Sequence, residues 1–245
     1  MINATQFSLF DNQPIIHANS TRAGGMSEGT FSSLNLGLNT NDNLEKVKQN
    51  RTIFFNHFNL NQNNLVFPGQ IHSDQVKIVD QPGIVSDCDA LITSTPGLTL
   101  TIQTADCFPL FIYDPIKHIC AIVHSGWRGS AKNIASKTIL KMQENFNSKS
   151  KNLLIAIGAG IQQKNYQVDT ATASNFSKKF LIADGENHYK LSVQDVILNQ
   201  LLEMGVYEEN IEADKTCTFE AIEKYYSFRR DGAKSGRMMG FIGLR

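Results

Sequence analysis

The stretch TADCFPLFIYDPIKHICAIVHSGWRGSAKN (104–133) holds the side chains best suited to chemistry. Two apolar runs flank Asp114-Pro115-Ile116-Lys117, and Asp followed by Pro suits the first two positions of a type I turn. Folding that turn into a hairpin sets Cys107 roughly opposite His124, where cross-strand Cβ atoms lie about 5 Å apart. A thiolate and an imidazole at that separation can share one metal ion or form a Cys–His pair. They can equally be a small buried hydrophobe beside a hydrogen-bonded histidine. Three features favour chemistry. Both residues stand where an apolar run meets polar, Gly-rich sequence. His72, in GQIHSDQV (69–76), stands at a similar boundary and could be a third ligand. SGWRGS (125–130) leads into a helix, so Ser125, Arg128 and the backbone N–H groups could face an anion.

Two histidines and one cysteine make a three-ligand zinc set that leaves the fourth position open, as catalytic sites do. The same set also suits a single copper ion. Cys88 could be a fourth ligand, which would turn the site into a structural staple. Without a metal, Cys107 could act as a nucleophile with His124 or His72 as base, the arrangement of a cysteine amidase. Other candidate anion contacts are Arg22 in TRAGG (21–25) and Arg229 and Arg230 in YSFRRDG (226–232). Arg22 also reads as an exposed residue before a turn, and Arg51 as part of a solvated helix face. Trp127 could stack on a substrate ring or pack in the core. His17, His57, His118 and His188 have no partner at ligand spacing. The sequence contains no H-E-x-x-H, P-loop, G-x-S-x-G, G-x-G-x-x-G or zinc-deaminase signature.

The elements that must position these residues are a mixture of strands and helices. Strands are expected at 14–22, 64–67, 75–79, 89–93, 98–103, 109–114, 119–124, 153–158 and 239–244. Apolar spacing predicts helices over 43–57, capped by Asn41 or Asp42, over 130–146, and over 192–204. The last has Ser192 with Asp195 as a capping box and Gly205 as its stop. The expectation is a mixed α/β (α+β) sheet protein forming one domain, 1–245.

The 245 residues carry 23 Lys+Arg and 23 Asp+Glu, a formal net charge of zero, which argues against a general nucleic-acid binder. Hydrophobic residues make up 41%, enough to build a core. The N-terminus lacks the basic and apolar regions of a secretory signal, and no run approaches the roughly 18 apolar residues of a membrane span. Cys88, Cys107, Cys120 and Cys217 are widely spaced with no C-x-x-C, which suggests free thiols in a reducing cytoplasm.

Taken in order, TRAGG (21–25), Asn50-Arg51, QIHSDQV (70–76), DCDALIT (87–93), TADCFPLFIYD (104–114), HSGWRG (124–129) and SFRRDGAKSGRMMGFIGL (227–244) resemble the YfiH-like, laccase-domain family. Its members are labelled polyphenol oxidase or purine nucleoside phosphorylase. The resemblance spans nearly the whole chain and implies one layered α-β-β-α domain. It implies zinc at His72, Cys107 and His124, a functional arginine at Arg22 and a second at Arg51. The activity it implies is phosphorolysis of adenosine, inosine, guanosine and methylthioadenosine, with adenosine deamination beside it. Some members are tied instead to removing a wrongly added L-Ser from the cell-wall precursor UDP-MurNAc. Copper-dependent phenol oxidation is an older attribution. The expected partners are a purine nucleoside and phosphate, with no nucleic acid and no membrane, in a cytoplasmic monomer or homodimer. Two departures bear on the substrate pocket: Ser73 replaces the usual Gly, and AIGAGIQQKNYQV (156–168) lacks the usual cysteines.

Overall fold

A computed structural model describes residues 2–245. In chain order the first strands are β1 (Ala4–Thr5), β2 (Ile15–Ser20), β3 (Leu65–Pro68), β4 (Val76–Ile78), β5 (Gly83–Val85), β6 (Ala90–Thr93), β7 (Thr99–Thr104), β8 (Phe108–Asp114) and β9 (Ile119–Ser125). They are followed by β10 (Leu154–Ile157), β11 (Gln167–Asp169), β12 (Leu181–Ala183), β13 (His188–Leu191), β14 (Ile211–Ala213) and β15 (Met238–Leu244). The helices are α1 (Leu44–His57), α2 (Trp127–Ala131), α3 (Ile134–Phe146), α4 (Thr170–Ala173), α5 (Val193–Glu203) and α6 (Phe228–Asp231).

Two six-stranded sheets form the frame. Sheet I runs β1-β2-β15-β7-β3-β5, and sheet II runs β14-β10-β8-β9-β6-β4. A small third sheet, β11-β13-β12, lies apart from them in the pairing order. Every residue of β8, β9 and β15 is buried. That is why these segments read as continuous apolar runs: both of their faces are covered, so no polar alternation is needed.

Side chains alternate along each strand, so one set points between the sheets and the other points outward. Leu91, Phe111, Tyr113 and Ile122 of sheet II meet Val66, Leu100, Ile102 and Ile242 of sheet I in one core. The opposite face of sheet II packs Leu110, Ile112 and Val123 against Ile139 and Met142 of α3 and Ile197 and Leu201 of α5. The outer face of sheet I packs Met239 and Phe241 against Phe54 and Phe55 of α1. The layers are therefore helix, sheet, sheet, helix, as the family resemblance implied.

Local departures from that expectation have plain causes. The helix anticipated over 130–146 is two helices, because Asn133 takes a left-handed conformation (φ 60°) between α2 and α3. The cap of α1 is Asn43, whose side chain accepts from the N–H groups of Glu45 and Lys46. Asp42 is engaged elsewhere, accepting from Ser27 and Asn35. Among the described residues no helix is long and apolar enough to cross a membrane.

Candidate metal centre

The β8–β9 hairpin closes as expected, with Asp114 Oδ1 accepting from the N–H groups of Ile116 and Lys117 at 2.9 and 3.1 Å. Its register sets Pro109 opposite His124 and Phe108 opposite Ser125. Cys107 therefore lies two residues diagonal to His124 instead of directly across. An offset of two keeps both side chains on the same face, the one that carries Phe111 and Ile122 into the inter-sheet core. The pair thus stands at the end of that core, where its apolar filling stops.

His72 reaches the same point from the loop between β3 and β4. One ligand atom from each of His72, Cys107 and His124 lies within 4.8 Å of the others. The two imidazole rings are 4.9 Å apart and nearly perpendicular. Among the described residues this is the one group of three His, Cys, Asp or Glu side chains placed to hold a metal ion. Cys88 is not part of it; its thiol donates to the Val85 carbonyl at 3.4 Å. A thiolate and two imidazoles fit zinc or a single copper ion. Gly126 makes the close approach possible, since a Cβ there would sit 2.7 Å from Cys107 Sγ.

A residue that the sequence reading gave no role organises the group. Asp89, immediately before β6, is fully buried. Its Oδ1 accepts from His124 Nδ1 at 2.8 Å and from the His72 N–H at 3.0 Å. Its Oδ2 accepts from the N–H and hydroxyl of Ser73 at 2.6 and 2.7 Å. One carboxylate thus fixes the His124 tautomer, leaves Nε2 for the sulfur or a metal, and orders the backbone that carries His72. Ser73, the departure from the family's glycine, supplies two of these bonds. The only sequence signal for Asp89 was its place in DCDALIT, where an acid opens an apolar strand.

The electrostatics agree with the geometry. Burial pushes the Cys107 thiol up, but the charge of His124 and hydrogen bonds from His124 and His72 outweigh it and bring it well below its ordinary value. Burial pushes His124 down, and the Cys107 charge together with the Asp89 bond raises it instead. Asp89 is likewise held low: the bonds from His124 and Ser73 overcome the effect of burial.

The three ligands line one wall of a cavity of about 570 Å³. Arg128, Arg229 and Arg237 line it too. Each guanidinium carbon lies over an aromatic ring of the same cavity: Trp127 at 4.3 Å, Tyr166 at 4.8 Å and Phe228 at 5.5 Å. Arg229 Nη1 donates to the Gln167 carbonyl, and Arg237 Nη1 donates to those of Ser235 and Gly236, so each keeps Nε and Nη2 for a ligand. Asp106, immediately before Cys107, has φ 90°. Its carboxylate accepts from the Thr218 hydroxyl at 2.7 Å and the Arg229 N–H at 2.6 Å, which ties the start of α6 to the cysteine.

The other residues singled out in the sequence lie elsewhere. Arg22 donates to the carbonyls of Ser32, Ile222 and Thr30, stacks on Tyr226 and is not part of this cavity wall. Arg51 is buried against Phe67 and Phe55, also away from the wall. Ser125 is buried and shares a hydrogen bond with Ser130. Arg230 is tied to Asp231 and to the carbonyls of Thr218, Phe219 and Tyr225. Arg237 and Tyr166 were missed because nothing local marks them; distant segments bring them to the cavity.

With the geometry established, comparison with known proteins gives three kinds of match. Residues 16–245 match the family model described as multi-copper polyphenol oxidoreductase laccase. The chain is 30% identical over 251 residues to purine nucleoside phosphorylase YlmD of Bacillus subtilis strain 168, covering 96% of this chain and 90% of that one. It is 32% identical over 240 residues to a purine nucleoside phosphorylase of Corynebacterium glutamicum, covering 95% and 96%. The crystal structure of YlmD from Geobacillus stearothermophilus superposes with a TM-score of 0.92 at 27% identity, covering 98% of this chain and 94% of that one.

Proposed function

Because the chain belongs to the laccase-domain family of multi-copper polyphenol oxidoreductases, the YfiH-like group, we propose that it is a purine nucleoside phosphorylase dependent on one metal ion, zinc, at His72, Cys107 and His124. The observation that carries this reading is the convergence of those three ligands on the wall of an arginine-lined cavity. Its substrates are adenosine, inosine, guanosine and methylthioadenosine, with adenosine deamination as a second activity.

When bound, a divalent ion supplies Lewis-acid polarisation of a substrate oxygen and acidifies water. The chain's own residues do the rest. Asp89 keeps the proton on His124 Nδ1 and so holds the imidazole as a ligand. Arg128, Arg229 and Arg237 hold phosphate, with the remaining guanidinium N–H groups donating to its oxygens. Trp127, Tyr166 and Phe228 offer apolar faces to the purine and exclude water from the reacting centre. A phosphate oxygen forms the bond to C1′ while the N-glycosidic bond breaks and its electron pair leaves with the base. The phosphate dianion, fixed by the arginines, stabilises the positive charge that develops on the ribose. Phosphate binding at Arg22 and Arg51, which the resemblance implied, has less support, because neither side chain lines this cavity.

The test incubates metal-analysed protein with adenosine and phosphate and identifies the products. Adenine with ribose-1-phosphate is the expected result, and inosine would reveal deamination. Cys107→Ala should remove bound metal and turnover together; full turnover by a metal-free Cys107→Ala variant would sink the scheme.

One observation favours a second reading. Asp89, His124 and Cys107 are aligned as orienter, base and nucleophile, the arrangement of a cysteine hydrolase. On that reading the protein is an amidase for a cell-wall precursor, removing L-Ser from UDP-MurNAc-L-Ser. A thiol alkylator would then abolish activity while a chelator leaves it intact. Phenol oxidation requires copper and oxygen uptake, which metal analysis and an oxygen electrode measure directly.

A further inference from the structure

We propose that Gln70 is a positioning residue for the metal centre, its side-chain amide standing in for a strand residue and thereby setting where His72 lies between the two sheets. The inference rests on the metal-dependent reading above.

Strand β3 pairs with β7 in parallel at Leu65–Thr99 and Val66–Leu100, then ends at Pro68. Strand β7 continues to Thr104, and on its other side Gln103 is opposite Met239 of β15. The backbone of Gln103 is therefore left without a strand on the β3 side. The Gln70 side chain fills that place: Nε2 donates to the Gln103 carbonyl at 2.7 Å, and Oε1 accepts from the Gln103 N–H at 2.8 Å. This two-point contact is the one that a hydrogen-bonded residue of an antiparallel strand makes with its own backbone, so the amide satisfies Gln103 where the parallel strand β3 has ended.

The loop backbone follows the edge of sheet I for one more residue, Gly69 N–H donating to the Val85 carbonyl of β5 at 2.8 Å, and then turns toward sheet II, Gln70 N–H donating to the Cys88 carbonyl ahead of β6 at 3.0 Å. His72 and Ser73 then bind Asp89. Past Gly69 the loop is held to sheet I by the Gln70 side chain and, on the β6 side, by the Cys88 carbonyl and the Asp89 carboxylate. Between these anchors Gln70 and His72 both have positive φ, 47° and 58°. Such backbone persists in non-glycine residues only when the surroundings hold it. Without the Gln70 amide the loop past Gly69 would keep only its bonds to the Cys88 carbonyl and to Asp89, and the reach of the His72 imidazole toward Cys107 and His124 would no longer be fixed from sheet I.

The experiment uses the full chain and three variants. Gln70→Leu removes both bonds, and Gln70→Asn keeps the amide but cannot span to Gln103. Thr101→Val removes a different buried bond of the same sheet, the one from Thr101 Oγ1 to the Val66 carbonyl. Zn²⁺ affinity is measured by competition with a chromophoric chelator, and ligand geometry by the visible spectrum of the Co²⁺ form. Both Gln70 variants should bind metal about 10–100-fold more weakly, with an altered Co²⁺ spectrum. Thr101→Val should match wild type in both. The proposal is overturned if a Gln70 variant keeps wild-type affinity and spectrum, or if Thr101→Val loses affinity equally. Wild-type protein that takes up no metal overturns the metal-dependent function as well, so the two failures are distinguishable.

Discussion

At the scale of single residues, the candidate centre is organised by a buried carboxylate as well as by the three side chains placed to hold a metal ion. Asp89 accepts four hydrogen bonds, and two of them belong to the histidine ligands. Asp89→Asn replaces one acceptor oxygen by an NH₂ that faces existing donors. Metal affinity should fall about 10–100-fold, as for other residues that orient a metal ligand. Stability should fall by about 2 kcal/mol, because a buried donor is left unmatched. Chelator competition and urea unfolding measure the two losses separately. A variant that binds metal like wild type would remove Asp89 from the account. The sequence pointed to His72, Cys107 and His124 because cysteine and histidine at the ends of apolar runs are few and able to bind metal. It did not show Asp89, because an aspartate becomes an orienting group only through what surrounds it.

At the scale of elements, the β8–β9 hairpin brings Cys107 and His124 together, and two apolar runs around an Asp-Pro turn predicted it. The registration error of two residues was harmless for a reason of geometry: the side-chain period of a strand is two, so the face was kept. A slip of one would have put the sulfur among the helices of the opposite layer. Helix limits were less legible. Asn133 breaks the long helix although the apolar spacing continues through it. Asn43, not its neighbours, caps α1. Asn43→Ala should therefore cost about 1 kcal/mol of stability, read as a lower denaturation midpoint. Turnover should be unchanged, since α1 packs on the outer face of sheet I.

At the scale of the whole molecule, the sandwich imposes a pH limit on stability. His17, on β2, is buried and accepts the Phe7 N–H at Nε2, a bond that needs the neutral ring. Burial pushes its pKa down from 6.5 to about 4, with Asp11 and Glu212 opposing. Between those values the unfolded chain binds a proton that the folded chain refuses, so this contribution to stability is complete above pH 6.5. It is lost as the pH falls to about 4, to an extent on the order of 3 kcal/mol. Urea midpoints measured across that range should decline with acid in wild type and decline less in His17→Gln. Equal slopes in the two proteins would refute the assignment.

The sequence by itself determined which side chains can bind metal, that a hairpin joins two of them, and that strands and helices mix in one sheet protein. Residue type, turn preference and apolar patterning are local properties, and they act over a few positions. Only the tertiary structure decided which arginines face the cavity, since Arg128, Arg229 and Arg237 reach it while Arg22 and Arg51 turn to other partners. It also decided that a glutamine side chain would complete a strand and that one aspartate would hold two histidines. Those roles arise where segments far apart in the chain meet, and no short stretch of sequence carries that information.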